Sequence, residues 1–159
     1  MEELNLYDDS GQPLNKTIIR GDKNFQPHEN IKLTIIYLKC KDKYLVQKCS
    51  KEKGGEFAIT GGHVSVGNTS QTQAVIEVQE ELGICIDAQK LRFLGNIYRP
   101  NAIFDIYLYE DESLENMPLT LQKSEVEDAL WLTKQQILDL IKANEVRQSS
   151  KEHFLKFIN

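Results

Sequence analysis

Glu77, Glu80 and Glu81 stand at i, i+3 and i+4 within residues 74–84, AVIEVQEELGI. On an α-helix that spacing gathers three carboxylates on one arc. Like charges so placed cost a helix roughly a few tenths of a kcal/mol per pair. Stability alone would put a lysine at one of these positions. Clustered oxygen ligands suit a hard cation such as Mg²⁺, which takes one or two protein carboxylates and leaves its other positions to water and substrate phosphate. A solvated acidic helix face has the same spacing, so the glutamates by themselves leave both readings open. Upstream, EKGGEFAITGGHV carries two Gly-Gly pairs, and glycines let a backbone come close to phosphates.

A helix must present these carboxylates. Ala74, Val75, Val78 and Leu82 share the arc next to them and would face a core. The spacing predicts a helix from about Thr69 to Leu82, opened by the capping-box pattern Ser70-Gln71-Thr72-Gln73 and closed by Gly83 as a left-handed cap. LTIIYLK (33–39) and KYLVQKC (43–49) read as two antiparallel strands, LRFLGNIYR (91–99) and AIFDIYLYE (102–110) as two more, and EDESLENMPLT (110–120) as an acidic loop. DALWLT (128–133) is a short strand feeding a helix capped by Thr133 and Gln136, and a last helix opens at Ser149. Two apolar patches, Leu4–Tyr7 and Thr17–Ile19, flank Asp-Ser-Gly-Gln-Pro and read as a hairpin or arm. The expected architecture is a β-rich core with helices, of the α/β (α+β) class.

Composition narrows the function. A chain of 159 residues is expected to form one domain, with an arm over 1–25, a core over 26–145 and a C-terminal helix over 146–159. With 24 acidic against 19 basic residues and a net charge of −5, the chain lacks the basic stripe of a nucleic-acid binder. Its longest apolar stretch, LTIIYL (33–38), is far below the ~20 residues of a membrane helix. The acidic start MEELNLYDDS is unlike a signal peptide, and the expected location is cytoplasmic. Three cysteines, Cys40, Cys49 and Cys85, fit neither a disulfide framework nor a zinc site.

Read from Gly62, the segment GHVSVGNTSQTQAVIEVQEELGI (62–84) resembles the Nudix box, G-x5-E-x7-R-E-U-x-E-E-x-G-U with U aliphatic. Gly62, Glu77, Val78, Glu80, Glu81, Gly83 and Ile84 fall on their places, while Asn68 stands where the box has Glu and Ile76 where it has Arg. GGEFAITGGHV resembles the family's strand into the Gly-Gly turn, and SEVEDALWLTKQQILDLI (124–141) its later strand and helix. The arm, His28, YLVQK and Gly-Gly-His-Val are similar to the branch related to isopentenyl diphosphate isomerase. That enzyme has a cysteine where Gly61 stands, so isomerase activity is not expected.

The resemblance implies a Nudix fold, a mixed β-sheet sandwiched between helices, and Mg²⁺- or Mn²⁺-dependent hydrolysis of a nucleoside diphosphate linked to another moiety. It carries metal binding to Glu77, Glu80, Glu81 and the Gly61 carbonyl, with one glutamate as base. Gly62, His63, Arg99 and Glu125 are the candidate substrate-binding residues, although His63 also reads as a turn histidine and Arg99 as a strand-end charge. His28 is a further metal candidate by likeness to the isomerase branch. Losing the box's Arg and Glu together suggests a buried ion pair replaced by neutral Asn68 and apolar Ile76. That leaves two expectations, a hydrolase of reduced rate or a domain that binds a nucleotide or diphosphate without turnover. A small-molecule diphosphate is the expected partner, with a homodimer through the arm or an edge strand.

Overall fold

The computed structural model describes residues 1–159. Strands β1 (Glu3–Tyr7) and β2 (Pro13–Ile19) form a separate antiparallel hairpin. The main sheet holds β3 (Ile31–Cys40), β4 (Lys43–Cys49), β5 (Phe57–Ala58), β6 (Gly61–His63), β7 (Arg92–Arg99), β8 (Ala102–Glu110) and β9 (Val126–Thr133). Helix α1 (Ser70–Leu82) follows β6, and α2 (Lys134–Lys142) and α3 (Gln148–Phe157) follow β9. No helix is long and apolar enough to cross a membrane.

The period of two along β3 explains the layering. Ile36, Leu38 and Cys40 pack on one face with Ala74, Val78 and Leu82 of α1 and with Tyr107 and Tyr109 of β8. Ile35 and Tyr37 pack on the other with Ile106 and Leu108, Ile137 of α2, Phe154 of α3 and Ile158 just past its end. The sheet therefore lies between helices, and it is mixed, because β3 runs parallel to β8 from Ile31↔Ala102 to Lys39↔Glu110.

The pairing of β3 with β4 is shorter than two adjacent β-rich runs imply. They meet only at Lys39↔Tyr44 and Cys40↔Lys43. Upstream, β3 turns to β6, from Leu33↔His63 to Ile35↔Gly61, while β4 pairs with β9 along its length. The strands diverge like an open zip, and the candidate site sits in the mouth.

Two caps differ from the sequence reading. Thr69, not Ser70, caps α1 by accepting from the Thr72 amide at 3.1 Å, and Ser70 is buried in a hydrogen bond with the Tyr107 hydroxyl. Helix α3 begins at Gln148 after Arg147 with no side-chain cap, so Ser149 lies inside it. The Gly83 and Thr133–Gln136 caps are as expected. His153 on α3 is 1% exposed beside Tyr37, and burial pushes its imidazole down to about 3, which keeps it neutral.

The hairpin carries its own small core, Leu4, Leu6 and Ile18. It is tied to the body where the Tyr7 and Asn30 backbones bond reciprocally and where the Val66 amide donates to the Glu3 carbonyl.

Candidate active site

Helix α1 is anchored at its start by the Thr69 cap and along its length by Ala74, Val78 and Leu82, all fully buried. With that arc fixed against the sheet, Glu77, Glu80 and Glu81 project into a cavity of about 410 Å³, and Glu125, just before β9, lines it too. A second cavity of about 230 Å³ adjoins it and shares Gly61, Gly62, His63, Glu81, Glu125 and Arg20.

The Glu77 carboxylate rests directly on the Gly62 backbone. A Cβ at residue 62 would overlap all three carboxylate atoms, the farthest at 2.8 Å. At Gly61 a Cβ would lie 2.6 Å from Ile35 Cδ1, so β6 can hug β3 only without side chains there. Two glutamines hold the carboxylates. Gln73 Nε2 donates to Glu77 Oε1 at 2.9 Å, and Gln47 Nε2 donates to Glu81 Oε1 at 3.3 Å and to Thr60 Oγ1 at 2.8 Å. The Gly61 amide also donates to Glu81.

Burial pushes the Glu77 carboxyl up to about 7 against the Gln73 bond, with the charge of Glu80 adding to the rise. Burial also pushes Glu81 up to about 7, with the charge of Glu77 adding to the rise and the Gln47 bond opposing it. Such clusters of raised carboxylates mark functional sites. No three or more His, Cys, Asp or Glu side chains converge into a ready-made metal cage. Mutually repelling carboxylates opposite a backbone turn nevertheless make an all-oxygen donor set that fits a hard divalent cation completed by water and substrate oxygens.

The candidate residues divide clearly. Glu77, Glu80, Glu81, Gly61, Gly62, His63 and Glu125 come together around the two cavities. His63 is held below the usual imidazole range, by burial first and Arg20 second. Arg99 does not reach them. It sits at the end of β7 in an ion pair with Glu152 of α3 and donates to the Tyr98 carbonyl at 2.7 Å. His28 pairs with Asp9, exposed, on the arm side. Ile76 is half-buried and lines the larger cavity with Asn68, so the expectation of an apolar replacement for a buried pair is corrected.

Sequence reasoning missed the cations. Arg20 from the end of β2, Lys53 and Arg147 line the smaller cavity, and Lys53 also pairs with Glu125 at 3.4 Å. Arg147 donates to Cys49 Sγ at 3.2 Å and to the Lys53 carbonyl at 3.3 Å. Each looks like an ordinary surface charge in sequence, because three separate segments, the arm, the turn after β4 and the start of α3, bring them together. Gln47 did carry a signal, as a polar residue inside the apolar run YLVQK.

A family model described as NUDIX domain matches residues 31–154. An uncharacterized Nudix hydrolase of Listeria monocytogenes is 34% identical over 142 residues, 86% of this chain and 83% of that protein. An NAD-capped RNA hydrolase, NudC, of Haemophilus influenzae is 38% identical over 87 residues, 54% of this chain and 31% of that protein. Among solved structures, that of DR0079 from Deinococcus radiodurans has a TM-score of 0.82 at 19% identity, covering 99% of this chain and 100% of that one. A MutT NUDIX hydrolase from Burkholderia pseudomallei has a TM-score of 0.63 at 14% identity, covering 82% of this chain and 98% of that one. These two structures are likenesses of fold.

Proposed function

The chain belongs to the NUDIX family, and from that premise we propose that it is a divalent-metal-dependent hydrolase cleaving a diphosphate bond in a nucleoside diphosphate linked to another moiety. One observation carries the reading. Glu77 and Glu81, both raised to about 7, face one cavity with Glu80 and Glu125, beside a Gly61–Gly62 backbone that admits no side chain.

Glu77, Glu80 and Glu81 would hold the cation, with the Gly61 carbonyl as a further ligand. Bound there, Mg²⁺ or Mn²⁺ would neutralise the diphosphate and lower the pKa of a bound water. The chain's own groups supply the rest. Glu81, oriented by Gln47 and the Gly61 amide and shared by both cavities, is the group positioned to take a proton from the attacking water. Arg20, Lys53 and Arg147 offer cations to the phosphates from the smaller cavity, and Arg presents a planar fork suited to them.

A second reading, binding without turnover, rests on Asn68 and Ile76, which leave no cation beside Glu77 on its own helix. A panel of sugar nucleotides, dinucleotides including NAD, nucleoside triphosphates and isopentenyl diphosphate separates the two. Each is incubated with Mg²⁺, with Mn²⁺ and with chelator. Chelator-sensitive release of phosphate or nucleoside monophosphate, lost in Glu81→Gln, is the expected result. Silence across the panel, with a ligand still raising the melting temperature, would favour binding alone.

A further inference from the structure

Gln73 sits one helical turn before Glu77 and is 5% exposed. Its Oε1 accepts from Asn68 Nδ2 at 2.9 Å and from the Ser65 amide at 3.2 Å, and its Nε2 donates to Glu77 Oε1 at 2.9 Å. The orientation of this amide is dictated by its partners. A backbone N–H can only donate, so a flipped amide would set donor against donor at Ser65, and acceptor against acceptor at an ionised Glu77. The chain Ser65 and Asn68 to Gln73 to Glu77 thus ties one carboxylate oxygen to the loop leaving β6, the strand whose Gly62 carries that same carboxylate. Glu77 is fixed from two sides, by steric contact with the turn and by a neutral hydrogen-bond relay. Oε2 has no protein hydrogen bond and is left for a ligand.

We propose that Gln73 is the positioning residue of Glu77, setting its carboxylate for cation binding through this relay, with Asn68 as the outer anchor. The proposal rests on the metal-binding reading of Glu77 given above. Gln73→Met keeps chain length and removes all three bonds. The relay predicts that its Mn²⁺ dissociation constant, read from the electron paramagnetic resonance signal of free Mn²⁺, rises ~10–100-fold, as for lost outer-shell partners of metal ligands. The melting temperature of the metal-free protein stays close to that of the wild type. Asn68→Ala, which spares the Gln73–Glu77 bond, gives a smaller rise. A structural role alone would lower the metal-free melting temperature and leave Mn²⁺ affinity unchanged, which overturns the proposal. So would wild-type affinity in Asn68→Ala, should Gln73→Met fail to fold. Glu77→Gln separates the two levels. If the wild type binds Mn²⁺, Glu77→Gln loosens it and Gln73→Met does not, the relay alone fails. If the wild type takes up no Mn²⁺, or Glu77→Gln leaves its affinity unchanged, the metal reading fails and the relay with it.

Discussion

A side chain at residue 62 would fall on the Glu77 carboxylate, and that sets the first residue-scale prediction. In Gly62→Ala the new methyl displaces the Glu77 carboxylate, the movable partner, more readily than it displaces backbone. Activity against the substrate found in the panel should fall ~10–100-fold, while the urea midpoint changes little. The raised carboxyls give a second. Between the ordinary carboxylate value and about 7, folded Glu77 and Glu81 keep protons that the unfolded chain has already lost. Stability contributed by their protonated forms is therefore present at low pH and lost as pH rises through 7. Metal-free protein should melt lower at pH 8 than at pH 5.5, and Glu77→Gln or Glu81→Gln should flatten that slope. Ile76→Arg is expected to cost little stability in a urea titration, since residue 76 is half-buried at an open cavity. The three glutamates were legible because their spacing needs only a helix. Gln73 was not, because SQTQ fits a capping box and only the actual cap, one residue earlier at Thr69, leaves Gln73 free to reach Glu77.

At the scale of elements, α1 works as a lever that aims the carboxylates by burying its other arc. Leu82 is fully buried in the cluster with Ile36, Leu38 and Tyr109. Leu82→Ala should destabilise the protein by about 2–5 kcal/mol in denaturant titrations, from lost burial plus the cavity left behind. Gly83 stops the helix at φ 72°, and a Cβ there would lie 2.8 Å from the Thr120 Cβ. That cap and the apolar arc were readable from sequence, as local propensities and a period of 3.6. The antiparallel β3–β4 pair was readable too, but not how short it is, because a β-rich run states its propensity and never its partner. The split of β3 toward β6 and β4 toward β9 follows from a closer competitor, the side-chain-free Gly61–Gly62 segment, which only the assembled sheet brings alongside.

Across the whole molecule, both ends of the chain come to the cavity's edge. Arg20 arrives at the end of the hairpin, and Arg147 arrives at the start of α3, where the Arg147 amide donates to the Phe57 carbonyl at 2.8 Å and Ser150 Oγ accepts from the Ile59 amide at 3.1 Å. Arg147→Ala should raise KM about tenfold or more, the worth of one charge-assisted hydrogen bond, with a smaller change in kcat in steady-state assays. By itself the sequence determined what local rules control: the carboxylate arc, its apolar partner arc, the glycines that the turn requires and the alternating strands that make a two-sided sheet. Those features depend on neighbours within a few residues, so type and spacing suffice. The tertiary structure alone decided which charges share the cavity, that Arg99 is spent on Glu152, that His153 is buried, and that Gln47 and Gln73 hold the two raised carboxylates. These outcomes depend on which distant segments meet, and on desolvation that no single segment carries in its own sequence.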